Sequence, residues 1–199
     1  MNATHLHLLL ADDDSDDRDM FQEALSEVSV STKFTEVKDG EKLMQWLHQS
    51  AEQLPDLLFL DLNMPRKNGH ECLEEIKRNP DLQSLLVIIF STTIDTFNVD
   101  SLYTNGAHYY IQKPSSFEQL IQVIEQMLNL PEEKRRVQPT KEEFIISNRN
   151  WNSLITVTYY PRRHYAKKRI THFCFLGNQS PLWVVGLFYH WKLLFRTGQ

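Results

Sequence analysis

Hydrophobic positions along the chain fall into two alternating patterns. Residues 57–60 and 85–90 are continuous apolar runs bounded by turn formers, and residues 5–11, 33–37 and 108–112 are further strand-like segments of more mixed composition. An unbroken apolar run suits a strand inside a parallel sheet, where helices cover both faces and no polar alternation is required. Between these segments the spacing changes to three and four. Met20, Phe21, Ala24, Leu25 and Val28 share one face, as do Leu43, Trp46 and Leu47, then Cys72, Leu73 and Ile76, and finally Phe117, Leu120, Ile121, Ile124, Met127 and Leu128. These stripes predict four amphipathic helices, and residues 95–103 predict a weaker fifth. Asp14 or Ser15 and Ser115 or Ser116 are placed to cap the first and last helices, while Asn79-Pro80 ends the third. Five strands alternating with five helices over residues 5–130 predict an α/β fold, a parallel sheet with helices on both faces.

In open sheets of this kind ligands gather beyond the carboxyl ends of the strands. The expected strand ends here carry Asp12 and Asp13, Asp61, Ser91 and Thr92, and Lys113 followed by Pro114. If the strands are neighbours, three carboxylates, a hydroxyl and an ammonium converge. Crowded carboxylates raise one another's pKa unless a cation compensates, and an all-oxygen donor set with retained waters suits Mg²⁺. Asp61, at the centre, could then act as a carboxylate nucleophile that accepts a phosphoryl group, with Mg²⁺ and Lys113 offsetting charge and Ser91 donating a hydrogen bond. Singly, each residue has a plainer reading: Asp61 and Ser91 as turn formers, Lys113 as a surface lysine beside the sheet, Tyr110 as a core aromatic. Asp16 and Asp17 read as acids favoured at a helix N-terminus.

Four motifs carry a resemblance: Leu10-Ala11-Asp12-Asp13; Leu60-Asp61-Leu62-Asn63-Met64-Pro65 with Gly69; Phe90-Ser91-Thr92; and Tyr110-Ile111-Gln112-Lys113-Pro114. In order and spacing the chain resembles the receiver domain of bacterial two-component response regulators over residues 5–130. The resemblance implies a flavodoxin-like, doubly wound five-stranded sheet of order 2-1-3-4-5. It implies Asp61 as phosphoacceptor, Asp12 and Asp13 with Asp61 and the Asn63 backbone carbonyl as Mg²⁺ ligands, Ser91 as switch hydroxyl, Tyr110 as the aromatic that moves with it, and Lys113 as the phosphate-binding lysine. A cis Lys113-Pro114 bond is also implied. The implied partners are a sensor histidine kinase or phosphotransfer protein and a downstream protein target, which would read a change in the face built from the fourth helix, fifth strand and fifth helix. Such a protein signals and is not an enzyme on a metabolite, although it promotes its own phosphorylation and dephosphorylation. The Ser91-Thr92-Thr93 run and the Phe117-Glu118-Gln119 helix start look most like stand-alone receivers of the phytochrome-associated type.

Composition changes the picture only at the C-terminus. Residues 1–147 carry 13 Lys+Arg against 26 Asp+Glu, a net of −13, whereas residues 148–199 carry 8 basic residues, no acid, and 11 of the 22 aromatic residues. The expected organisation is a receiver over 5–130, a polar, proline-bounded linker over 131–147 and a basic, aromatic-rich extension over 148–199. Three readings of the extension stay open: a nucleic-acid-gripping output, an association segment that could pack on the receiver, build a homodimer or lie in a membrane interface, or sequence without an evolved fold. A nucleic-acid-binding effector and a binding-only scaffold are the rival functions, though neither nucleic acid nor a membrane is the expected partner. Cys72 and Cys174 have no metal-like spacing, and the N-terminus has no signal-peptide pattern, so a reducing, cytoplasmic location is expected.

Overall fold

The computed structural model describes residues 5–50, 53–92 and 96–146. The first ten elements follow the expected alternation: β1 (Leu6–Ala11), α1 (Ser15–Glu27), β2 (Thr32–Val37), α2 (Gly40–Gln49), β3 (Leu57–Leu60), α3 (Gly69–Arg78), β4 (Leu86–Ser91), α4 (Thr96–Thr104), β5 (Tyr109–Gln112) and α5 (Phe117–Leu128). The strands are parallel, and the order of the first five is β2-β1-β3-β4-β5. β1, β3 and β4 are buried along their whole length, which is why their sequences carry no polar alternation. Edge strand β2 is only half-buried and correspondingly mixed.

Alternation within each strand feeds two cores. Leu8, Leu10, Leu57, Phe59, Ile88 and Ile111 pack with Phe21, Ala24 and Leu25 of α1 and Leu120, Val123, Ile124 and Met127 of α5. Leu9, Leu58, Leu60, Val87, Ile89 and Tyr110 pack with α2, α3 and α4 through Leu43, Leu47, Cys72, Ile76 and Leu102. The caps are now decided. Asp14 accepts from the Asp16 amide at 2.9 Å and Ser116 from the Gln119 amide at 3.3 Å, while Asn68 and Glu71 form a reciprocal capping box on α3.

The segment expected to be a linker is instead part of the fold. Residues 131–146 form α6 (Glu132–Arg136), α7 (Lys141–Phe144) and β6 (Ile145–Ile146), and β6 adds to β5 in parallel, so the sheet has six strands where five were expected. Composition pointed the wrong way because this segment is anchored by a few contacts and not by an apolar stripe. Gln138 Nε2 donates to the carbonyls of Tyr103 and Ala107 at 2.6 and 2.7 Å, satisfying acceptors at and just beyond the end of α4. The Tyr103 hydroxyl donates to the Pro139 carbonyl at 3.0 Å, and Lys141 pairs with Asp100 at 2.9 Å. Fully buried Phe144 lies edge-on to Tyr103, with centroids 5.2 Å apart, and 6.3 Å from the Tyr110 ring. The readings of residues 148–199 lie outside the described residues. Among the described residues no helix is long and apolar enough to cross a membrane.

Phe144→Ala is expected to destabilise the protein by about 3 kcal/mol in chemical denaturation, the usual cost of emptying a fully buried phenylalanine site. A linker position would change stability by less than about 0.5 kcal/mol.

Candidate functional site

The carboxyl edge of the sheet brings the expected residues together. Asp12 directly follows β1 and Asp61 directly follows β3; the two strands run side by side, with Ala11 opposite Leu60. Both carboxylates are nearly inaccessible, Asp12 at 1% and Asp61 at 4% exposed, whereas Asp13 is exposed. One oxygen from each of Asp12, Asp13 and Asp61 lies within 4.8 Å of the others. Lys113 follows β5 by one residue, and its Nζ reaches back across the sheet edge to Asp12 Oδ2 at 2.7 Å and to Asp61 Oδ1 at 3.6 Å. Its ammonium also stands 5.7 Å from the centre of the Phe90 ring.

Burial sets the electrostatics. Desolvation pushes both Asp12 and Asp61 above the ordinary carboxylate range, and only partly do the Lys113 charge and nearby amides bring them back. For Lys113 burial works in the opposite sense, against its charge, but the bonds from Asp12 and Asp17 outweigh it and hold the ammonium protonated well above its ordinary value.

The loop after Asp61 is tied down at several points. The Asn63 amide donates to Asp61 Oδ2 at 2.9 Å and the Gly69 amide to the Leu62 carbonyl at 3.0 Å. A Cβ on Gly69 would stand 2.3 Å from the Asp61 carbonyl oxygen, so only glycine permits this approach. Arg66 adopts a left-handed conformation, φ 67°, and its guanidinium pairs with Asp39, the buried N-cap of α2.

Ser91 closes β4 with its hydroxyl buried and without a hydrogen-bond partner among the described residues. An orphaned buried hydroxyl in a polar cluster is a donor awaiting an acceptor. Tyr110 is buried between Ile89 and Ile145 of the flanking strands. The Lys113–Pro114 peptide is trans, against the cis bond that the resemblance implied. An X–Pro bond prefers trans by about 0.5–1 kcal/mol, and here the Lys113 amide already bonds the Ser91 carbonyl at 2.8 Å while Nζ reaches the carboxylates.

Sequence reasoning missed one member of this cluster. Asp17, taken there for a helix-terminus acid, accepts from Lys113 Nζ at 2.6 Å. A third carboxylate facing an ammonium from the first turn of α1 leaves no spacing signal, because the pair is 96 positions apart.

Residues 8–125 match the response regulator receiver domain, well over half of the chain. The chain belongs to the response regulator receiver family. Its receiver is 31% identical over 122 residues to the response regulator Rcp1 of Synechocystis sp., covering 59% of this chain and 83% of that protein. Among solved structures it is similar to the phosphorylated cyanobacterial phytochrome response regulator RcpA, with TM-score 0.58, 34% identity, and coverage of 62% of this chain and 91% of that one. The Mn²⁺-bound form of Rcp1 superposes with TM-score 0.56 at 30% identity, covering 61% and 91%. The receiver is thus of the kind found in phytochrome-associated response regulators, and receivers of this family are signalling proteins that accept a phosphoryl group on aspartate.

Without divalent cation at pH 7, Asp61→Asn is expected to stabilise the receiver, since desolvation by burial raises the carboxyl above its ordinary value. The penalty in the wild type grows as pH rises from the unfolded value, near 3.8, through the raised folded value. The difference between the two proteins should therefore shrink at about pH 3. Thermal melts against pH in a chelating buffer measure it. Added Mg²⁺ should raise the wild-type midpoint more than that of the variant.

Proposed function

We propose that this protein is a cytoplasmic response regulator whose Asp61 takes a phosphoryl group from a phosphohistidine on a sensor histidine kinase or phosphotransfer protein. The single observation that carries this reading is the convergence of Asp12, Asp13 and Asp61 with Lys113 and the unpartnered Ser91 hydroxyl at one sheet edge. Asp12, Asp13, Asp17 and Asp61 against one ammonium leave an excess of negative charge, and the donors are oxygen, which fits Mg²⁺. Asp12, Asp13, Asp61 and the Asn63 carbonyl are the residues that would hold it. Bound there, the ion offsets charge on the phosphoryl oxygens.

The chain's own groups account for the remaining chemistry. An Asp61 carboxylate oxygen forms the new bond to phosphorus as the bond to the donor imidazole nitrogen breaks, and that nitrogen leaves with a proton from solvent. Lys113 stands 3.6 Å from Asp61 Oδ1, placed to neutralise charge gathering on the transferred group. The Ser91 hydroxyl supplies a hydrogen bond. Later attack of water on phosphorus returns Asp61 to its carboxylate, which makes the state self-limiting.

Output runs by protein contact. Ser91 lies opposite Gln112 and Tyr110 opposite Ile89, so β4 and β5 link the acceptor edge to the α4 side. The face read by a downstream target includes α4, α5 and, through Phe144 against Tyr103 and Tyr110, the added α7 and β6. A stand-alone role similar to that of the phytochrome response regulators follows from the same likeness.

Incubation with acetyl phosphate and Mg²⁺, read by intact mass, is expected to add one phosphoryl group to wild type. Asp61→Asn should take none, and Lys113→Met should slow the gain by about 100-fold. A wild type that stays unmodified by acetyl phosphate and by a phosphorylated partner protein would sink this reading in favour of a binding-only receiver.

A further inference from the structure

We propose that Asp17 is a positioning residue of this site, one that competes with the phosphoryl group for the Lys113 ammonium and strengthens the neighbouring cation position. The proposal rests on the phosphoacceptor reading above.

Asp17 stands apart from the other acids of its turn. Asp14 spends its side chain on the cap, accepting from the Asp16 amide, and Asp16 is exposed. Arg18 reaches the Asp12 carbonyl at 2.8 Å and pairs with Glu36 at 3.7 Å. Asp17 alone in this turn folds across to the lysine that follows β5, and its 2.6 Å bond is the shortest of the distances Lys113 Nζ makes to carboxylates, against 2.7 Å to Asp12 and 3.6 Å to Asp61. A helix-dipole role asks only for an acid in the first turn, which Asp16 already supplies. It does not ask for a side chain drawn onto an ammonium that is itself only 11% exposed.

An ammonium has three N–H donors, and two of them are taken by Asp12 and Asp17. To meet a phosphoryl oxygen on Asp61, Nζ must spend the third or release a carboxylate. Asp12 is buried, so abandoning it would strand a charge away from water. The Asp17 side chain is 33% exposed and can be rehydrated when released. Nζ stands 3.6 Å from Asp61 Oδ1, and when it moves toward a phosphoryl oxygen there Asp17 is the carboxylate that yields. While it holds on, it neutralises Lys113, lowering the ammonium's attraction for an incoming anion and its repulsion of a cation among Asp12, Asp13 and Asp61.

The consequence is a pair of opposite effects that a purely structural role would not produce. In Asp17→Asn of the full chain, the Mg²⁺ dissociation constant should rise about threefold, while beryllofluoride, used as a phosphoryl mimic at saturating Mg²⁺, should bind about threefold tighter. Calorimetric titration reads both. Asp17→Glu should restore wild-type values, and Asp16→Asn, which removes the same charge without the Lys113 contact, should move each by clearly less. Two affinities falling together, neither changing, or Asp16→Asn matching Asp17→Asn would each overturn the role of Asp17. A wild type that takes no phosphoryl group on Asp61 is a separate result: it removes the acceptor reading and the competition with it.

Discussion

A buried ammonium surrounded by carboxylates is the interaction on which the carboxyl edge of the sheet depends. Asp12 and Asp61 are almost wholly removed from water and carry like charge, an arrangement that burial alone makes unfavourable. Lys113 is the cation that makes it tolerable, and it arrives from the far side of the sheet, after β5. It reaches Asp12 across β3 and β4, which lie between β1 and β5 in the sheet. Strand order and site electrostatics are in this sense one constraint. The residual negative charge leaves the cluster short of a further cation, and so electrostatically incomplete.

The second feature of consequence is the added C-terminal segment. Edge strands present unpaired backbone groups, and β5 would be such an edge in a five-stranded sheet. Here β6 pairs with it, and Phe144 seals Tyr103 and Tyr110 from above. Arg135 ties the same segment to α5, donating to the carbonyls of Leu130 and Leu128 at 2.9 and 3.0 Å. The surface around α4 is therefore composite, built from the receiver elements and from residues that follow them. Phe144 on this segment lies 6.3 Å from the ring of Tyr110, which stands opposite Ile89 of β4.

Much of the fold was legible because it depends on burial, and burial leaves a mark on each residue independently. Continuous apolar runs marked β3 and β4, three-and-four spacing marked α1, α2, α3 and α5, and the acids and lysine at the strand ends marked the site. Asp12, Asp13, Asp61, Ser91 and Lys113 could be named in advance since each stands next to a recognisable strand. Asp17 could not, because its meaning comes from a side chain crossing to a residue far along the chain. The same holds for residues 131–146: five charged residues in a row at Glu132 to Arg136 read as solvated linker, and only the contacts of Gln138, Pro139 and Phe144 with α4 and β5 show otherwise.

By itself, then, the amino-acid sequence determined the alternating elements, the parallel class of the sheet and the residues gathered at its carboxyl edge. These follow from local periodicity and from which side chains water rejects. Tertiary structure alone decided which acids share the Lys113 ammonium and that a sixth strand closes the β5 edge. Those outcomes rest on distances between segments remote in the chain, and no local pattern of polarity encodes a distance.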